Sequence, residues 1–188
     1  MSSVVMIGPI CSGKSTVSAL LADMLQSPRC CMDSIRFSYY KELGFSEEKQ
    51  EHIRKKEGFP GVYQYWKPFE AHAVKRALED FPDHIHDFGA GHSVQEEQGS
   101  ASVVKKALHA AEVFLLLPSP DIEKSKNILR QQLLHRTHNP AVLDINDYFA
   151  EHGMNRELAD HIIYTDNKSA QTVGIEIKKI LQESARHA

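Results

Sequence analysis

Apolar positions along the chain follow two rhythms. Short, near-continuous apolar runs recur at Val4 to Ile7, Arg29 to Met32, His84 to Phe88, Val113 to Leu117 and His161 to Thr165. Runs of this length with little polar alternation predict strands buried on both faces, hence a parallel sheet with helices packed above and below. The longer intervals carry apolar residues at helical spacing instead. They predict helices over Lys14 to Gln26, Ser46 to Lys56, Tyr63 to Asp80, Ser102 to Ala110, Ile122 to Leu134 and Ala170 to Glu183. In the last of these Val173, Ile177, Ile180 and Leu181 form one stripe, which is core packing and not chemistry. The pattern as a whole is that of a three-layer α/β fold.

Two intervals depart from a minimal strand-helix alternation. Asp33 to Asp83 is far longer than a crossover needs and is mostly helical in pattern, so residues of about 34–80 are expected to form a helical insertion that binds a substrate. His135 to Asn139, ahead of Pro140, is irregular and marks a candidate lid of about 130–141. No repeat or linker composition interrupts the chain, and 188 residues at 41% hydrophobic suit a single domain, 1–188. A net charge of −3 gives no broad attraction for nucleic acid, which argues against a nucleic-acid partner. No apolar run approaches the roughly 20 residues that span a bilayer, so a cytoplasmic protein with no membrane partner is expected. Cys11 and the adjacent Cys30 and Cys31 form no disulfide framework, and the histidine pairs His84/His86 and His135/His138 lack the companions of a zinc site.

The chemistry is concentrated in GPICSGKST, Gly8 to Thr16, between the first strand and the first helix. It satisfies the phosphate-loop (Walker A) pattern GxxxxGK[ST] in the context that pattern requires. The glycines Gly8 and Gly13 let the backbone fold back, so that successive N–H groups, including those of Cys11 and Ser12, turn toward phosphate oxygens at a helix N-terminus. Lys14 reaches the β- and γ-phosphates in this pattern, Ser15 ligates Mg²⁺, and Thr16 is placed for an α-phosphate oxygen. Asp33 and Asp87 end the second and third predicted strands at the carboxyl edge of the sheet, where ligands bind in such folds. Asp33 could position the metal's water or accept a proton from a substrate hydroxyl, and Asp87 could serve as a second carboxylate near the metal. Gly89 and Gly91 follow directly, suggesting close approach of backbone to a ligand.

These residues resemble the shikimate kinase family, and more loosely the P-loop small-molecule kinases related to nucleoside monophosphate kinases. The anchors are the phosphate loop, Met32-Asp33-Ser34, Asp87-Phe88-Gly89-Ala90-Gly91 where the family has a triple glycine, and Leu158 to Ala170, similar to the family's final strand and adenine-flanking turn, which includes Lys168. The resemblance implies a P-loop kinase fold with a five-stranded parallel sheet in the order 2-3-1-4-5. It also implies ATP and Mg²⁺ at the phosphate loop and a lid arginine, Arg130, with Arg136 the competing candidate.

Departures lie in the acceptor site. Asp33-Ser34-Ile35 lacks the family's second aspartate, and Lys67-Pro68-Phe69-Glu70 has lysine where the family has arginine ahead of the retained glutamate. Glu151 and His152 stand where another arginine is expected. Lysine cannot reproduce the bidentate fork that arginine presents to a carboxylate. Arg36, Arg54, Lys55, Lys56 and Lys67, with Tyr63, Tyr65 and Trp66, could line a differently shaped pocket. The expected catalytic residues are therefore Lys14, Asp33 and Arg130, and the expected acceptor residues Asp33, Lys67, Glu70, Gly89 and Gly91. Ser15, Asp33 and Asp87 are the expected metal ligands. Three functions follow in order: a Mg-ATP-dependent kinase of a small hydroxylated metabolite, a nucleoside, nucleotide or nucleic-acid-end kinase, and a nucleotide-binding regulator without transferase activity.

Overall fold

The computed structural model, which describes residues 2–187, alternates strands and helices from the start. β1 (Val4–Ile7) leads into α1 (Lys14–Leu25), and β2 (Arg29–Cys31) into α2 (Met32–Glu42) and α3 (Glu47–Asp80). β3 (Ile85–Asp87) precedes α4 (Gln98–Leu108), and β4 (Glu112–Leu117) precedes α5 (Ile122–Leu134), α6 (Pro140–Glu151) and α7 (Gly153–Leu158). β5 (His161–Tyr164) and α8 (Ala170–His187) close the chain. All strand pairs are parallel and the sheet order is β2-β3-β1-β4-β5, with Val4 beside Ile85 on one side and Glu112 on the other.

Strand alternation divides the core in two. Val5 and Ile7, with Val113, Leu115 and Leu117, pack beneath α2, α3 and α4, where Tyr40, Phe69 and Val104 are buried. Val4 and Met6, with Phe114 and Leu116, pack against α1 and α8 through Leu21, Val173 and Ile177. Each strand thus sends successive side chains into different layers, which is why β1 and the run Val113 to Leu117 of β4 are apolar at every position. The stripe Val173, Ile177, Ile180, Leu181 does lie against this second layer. Among the described residues no helix is long and apolar enough to cross a membrane.

The helical region after β2 differs from its expected form. α2 begins at Met32 with no turn after the strand, so Asp33 lies in the first turn of a helix and not at a strand end. The two helices expected on either side of Gly58 meet at a kink there, with Gly58 in a non-helical conformation at φ 68, ψ −156. Pro60 follows the kink, where its missing N–H costs little because the helix is restarting. α6 and α7 follow the irregular residues 135–139. Asn139 caps α6 by accepting from the N–H of Ala141, and Pro140 takes its first turn. The irregular residues 135–139 therefore form a short connection in an α5–α6 hairpin.

Candidate active site

The loop between β1 and α1 is built around a bare helix N-terminus. Gly13 is the N-cap of α1, in the left-handed region at φ 96, and no side chain caps the helix. Ser46, Asp121 and Asn139 do cap α3, α5 and α6. The first-turn N–H groups of Lys14, Ser15 and Thr16 are left for a ligand, at the end of the helix where anions are stabilised. Gly8 is required by close packing, since a Cβ there would meet the Leu116 carbonyl oxygen at 2.6 Å.

Lys14 is buried, and its Nζ donates to the carbonyl oxygens of Gly8 (2.8 Å) and Pro9 (2.7 Å) across the loop. Burial lowers its pKa to about 8, opposed by the negative charges of Asp33 and Asp87. The Ser12 hydroxyl is buried with no hydrogen-bond partner. Loop, helix start and strand ends enclose a cavity of ≈ 160 Å³ lined by Lys14, Ser15, Thr16, Asp33, Gly89 and Arg136, among others. A second cavity of ≈ 290 Å³ continues from Cys11, Ser12, Gly13 and Thr16 to Pro118, Gln132 and the turn Thr165–Lys168 after β5. A bare helix N-terminus, an orphaned hydroxyl and this adjoining turn fit a nucleoside triphosphate. Ser15 and Asp33 supply the oxygen donors a Mg²⁺ ion takes.

On the other side of Asp33 a third cavity, also ≈ 290 Å³, is lined by Arg36, Phe59, Tyr63, Trp66, Glu70, the backbone of residues 89–91, His92 and Phe149. It shares Ile10, Asp33, Gly89 and Ala90 with the first. Gly89 and Gly91 belong to its wall, and a Cβ on either would meet Asp33 Oδ1 at 2.8 Å or Glu70 Oε1 at 2.7 Å. His92 is buried and neutral, its pKa lowered to about 3 by burial. Its ring bridges the Tyr40 hydroxyl (3.1 Å) and the Gly89 carbonyl (3.3 Å), which fixes the floor.

Several expected site residues are placed differently. Asp87 is 3% exposed: Arg29 Nε and Nη2 donate to its two oxygens at 3.0 Å each, so it holds β2 to β3, and it does not line the phosphate cavity. Arg130 does not reach the phosphate cavity, because Asp144 (2.8 Å) and Asp147 (2.7 Å) of α6 hold its guanidinium. Arg136, beyond the end of α5, lines that cavity instead. Lys67 does not line the acceptor cavity. Its Nζ donates to Glu70 Oε2 (2.5 Å), to the Gly91 carbonyl (3.2 Å) and to the Val94 carbonyl, which uses all three N–H groups of an ammonium. Glu70 is buried behind that contact, with burial raising its pKa against the lowering effect of Lys67. Lys168 lines the second cavity and pairs with Glu176 at 2.7 Å. Arg54, the other arginine of the possible substitute set, is exposed and paired with Glu51.

Asn146 was not singled out in the sequence. Its Oδ1 accepts the Ile10 N–H at 2.6 Å and its Nδ2 donates to the Ile10 carbonyl at 3.2 Å, so one buried side chain of α6 grips the phosphate loop. The legible signal is an asparagine within the apolar stripe Leu143, Asn146, Phe149, Ala150 of α6.

Architecture and loop together define the P-loop kinase fold of the shikimate kinase type. No protein-family model matches the chain, and no curated protein sequence matches it. Among solved structures, a shikimate kinase from Acinetobacter baumannii in complex with shikimate is similar over 98% of this chain and 94% of its own, at 20% identity and TM-score 0.60. The YorR protein of Bacillus subtilis, in complex with phosphorylated GDP, is similar at 18% identity and TM-score 0.58 over 100% of this chain and 99% of its own. A gluconokinase from Sinorhizobium meliloti is similar at 16% identity and TM-score 0.57 over 97% of each chain.

Proposed function

We propose that this protein is a kinase that transfers the terminal phosphoryl group of ATP to a hydroxyl of a small metabolite. The observation that carries the proposal is the shared wall: Asp33 and Gly89 border both the phosphate cavity and the acceptor cavity. A hydroxyl bound in one therefore faces a phosphate bound in the other. The resemblance to shikimate kinase and gluconokinase structures supports the same reading, and the relatives' substrates suggest a small-molecule acceptor.

In this reading the free N–H groups at the start of α1 and the ammonium of Lys14 hold the β- and γ-phosphates. Lys14 leaves its two loop carbonyls to do so. Ser15 and Asp33 would hold Mg²⁺, which supplies charge neutralisation on the phosphate oxygens when bound. Asp33 takes the proton of the acceptor hydroxyl while that oxygen bonds to the terminal phosphorus and the bond to the ADP oxygen breaks. Arg136 faces the same cavity and is placed to neutralise the charge spread over the equatorial oxygens, a role that positioning and electrostatics dominate in phosphoryl transfer.

An assay of acceptor-dependent ADP release across a panel of hydroxylated metabolites tests the proposal. Lys14→Ala should lower turnover about 10²–10³-fold with the fold retained by circular dichroism, the scale for losing one charge-stabilising donor. Asp33→Asn should lower it by about 10²–10⁴-fold, the scale for a general base. Full turnover in Lys14→Ala would sink the assignment. ATP binding by calorimetry with no acceptor-dependent ADP release would instead favour a nucleotide-binding regulator.

A further inference from the structure

Phosphoryl transfer uses the backbone of the phosphate loop and gives no work to the side chain of Cys11. That residue is a free, half-buried thiol, and it lines both the phosphate cavity and the neighbouring cavity that runs to the turn after β5. Its backbone is left-handed at φ 66, so the fold of the loop and not the residue's own preference holds it at this junction. Ser12 beside it is 3% exposed and lines the second cavity, and its Oγ has no hydrogen-bond partner, an independent sign that a polar ligand is received here. Around the phosphate cavity Lys14 and Arg136 outweigh Asp33, and the uncapped start of α1 adds the positive end of a helix dipole. A negative Cys11 acts on the Lys14 ammonium in the same sense as Asp33 and Asp87, against the larger effect of burial, so thiol and ammonium lie within electrostatic reach. The other two thiols are placed otherwise. Cys30 is 5% exposed, and burial pushes its pKa up to about 12, so it stays protonated and shielded. Cys31 ends β2 and lines none of the three cavities of the site.

We propose that Cys11 is a site of covalent modification, exchanging with low-molecular-weight disulfides that carry carboxylates, and that the mixed disulfide it forms excludes nucleotide. The Cys11 thiol gives its proton to solvent, and the thiolate attacks one sulfur of the disulfide. A bond forms between Cys11 Sγ and that sulfur as the original S–S bond breaks, and the second half leaves as a thiolate. Cys11 is oxidised and the departing half reduced, so no further oxidant is needed, and an added thiol reverses the step. The charges that hold phosphate also draw the carboxylates of the disulfide to the loop. Cys11 borders both the ≈ 160 Å³ and the ≈ 290 Å³ cavity, so a group attached there takes up the space through which a nucleotide's phosphates pass. The exclusion of ATP rests on the kinase reading above, whereas the modification itself does not.

The reduced full-length protein is treated with oxidised glutathione, an anion, with dithiodiethanol, which is neutral, and with cystamine, a dication. Peptide mass spectrometry locates the adducts, and each rate is divided by that reagent's rate with N-acetylcysteine amide, a free neutral thiol. The adduct is expected on Cys11, with a normalised rate for oxidised glutathione about tenfold or more above that for cystamine. In about 1 M salt, where the Debye length is about 3 Å, the two rates should converge. ATP at about ten times its dissociation constant should slow labelling of Cys11 about tenfold, the factor for simple competition. The glutathione adduct should lose ATP binding by calorimetry and regain it with dithiothreitol. Cys11→Ser should form no such adduct and should keep, after the same treatment, the ATP affinity it had before. Reversal by dithiothreitol in the unmutated protein decides the question should that variant not fold. Adducts confined to Cys30 or Cys31, equal normalised rates for cystamine and oxidised glutathione, labelling indifferent to bound ATP, or unchanged ATP binding in protein modified at Cys11 would each overturn the proposal. Charge-selective modification of Cys11 in a protein that binds no ATP when reduced would leave the modification site standing and defeat the kinase reading with the exclusion that rests on it. ATP binding with no adduct at Cys11 is the opposite failure.

Discussion

Lys14 shows how far one residue's chemistry depends on its surroundings. The motif places an ammonium at a phosphate site, but burial lowers its pKa to about 8, within two loop carbonyls' reach and without a full counter-charge. A bound triphosphate supplies that charge and raises the pKa again. Nucleotide binding at about pH 8.5 should therefore take up a proton, and affinity should weaken as pH rises beyond 8. Calorimetry in buffers of different ionisation enthalpy reads the proton directly; Lys14→Arg, which stays charged, should show no uptake. The ligand-free protein behaves oppositely. Between pH 8 and 10.5 the unfolded chain holds a proton that the folded chain has released, so its stability gains with rising pH. Asp87 makes the complementary point. A carboxylate at a strand end suggests a metal, yet its neighbour across the sheet, Arg29, occupies both oxygens. Nothing in the order of residues announces that 58-residue pairing, because it exists only once β2 and β3 lie side by side.

Among the elements, the α5–α6 hairpin departs most from expectation. The hairpin read as a lid is tied by side-chain pairs: Arg130 is held by Asp144 and Asp147, Lys126 by Glu151, and Tyr148 donates to Glu96 at 3.0 Å. Asn146 then ties α6 to Ile10 of the phosphate loop with two hydrogen bonds. The position of Arg136, on the connection of that hairpin, is thereby coupled to the loop. Asn146→Ala should raise KM for ATP and lower kcat/KM about tenfold, the scale of one to two lost buried hydrogen bonds. Asn146→Asp separates positioning from simple packing. Its carboxylate still accepts the Ile10 N–H but opposes the Ile10 carbonyl, so activity should recover as pH falls and the carboxyl protonates. Steady-state kinetics across pH checks both, and a flat Asn146→Asp profile equal to that of Asn146→Ala would refute the coupling. α2 falls within the predicted helical insertion, though directly at the strand end, and α6 follows the irregular residues 135–139, where Asn139 caps it and Pro140 takes its first turn.

For the whole molecule, two buried histidines set the response to acid. His86 packs within the sheet with its pKa lowered to about 4 by burial, and His92 beneath the acceptor cavity with its own lowered to about 3. Below pH 6.5 the unfolded chain protonates both while the folded chain does not, so stability must fall as pH falls. Each contributes a slope of up to about 1.4 kcal/mol per pH unit. Most carboxylates stay ionised between pH 6.5 and 5, and the buried Glu70, its pKa raised by burial, acts in the opposite sense there. Urea denaturation at those two pH values should show the loss, and His92→Gln should reduce its slope by about one histidine's share. The same scale separates what the chain states locally from what folding supplies. Periodicity located the five strands to within a residue or two, and the phosphate loop was legible because GxxxxGK[ST] works through backbone N–H groups next to one another in sequence. The placement of the cations was not: Lys67, Arg130 and Arg36 are similar charges on helices, and their neighbours across the fold decide which of them lines a cavity. Local sequence fixes backbone geometry through short-range sterics and hydrogen bonding. The availability of a charged side chain depends on which distant groups are brought within about 3 Å of it, and only the packed tertiary structure decides that.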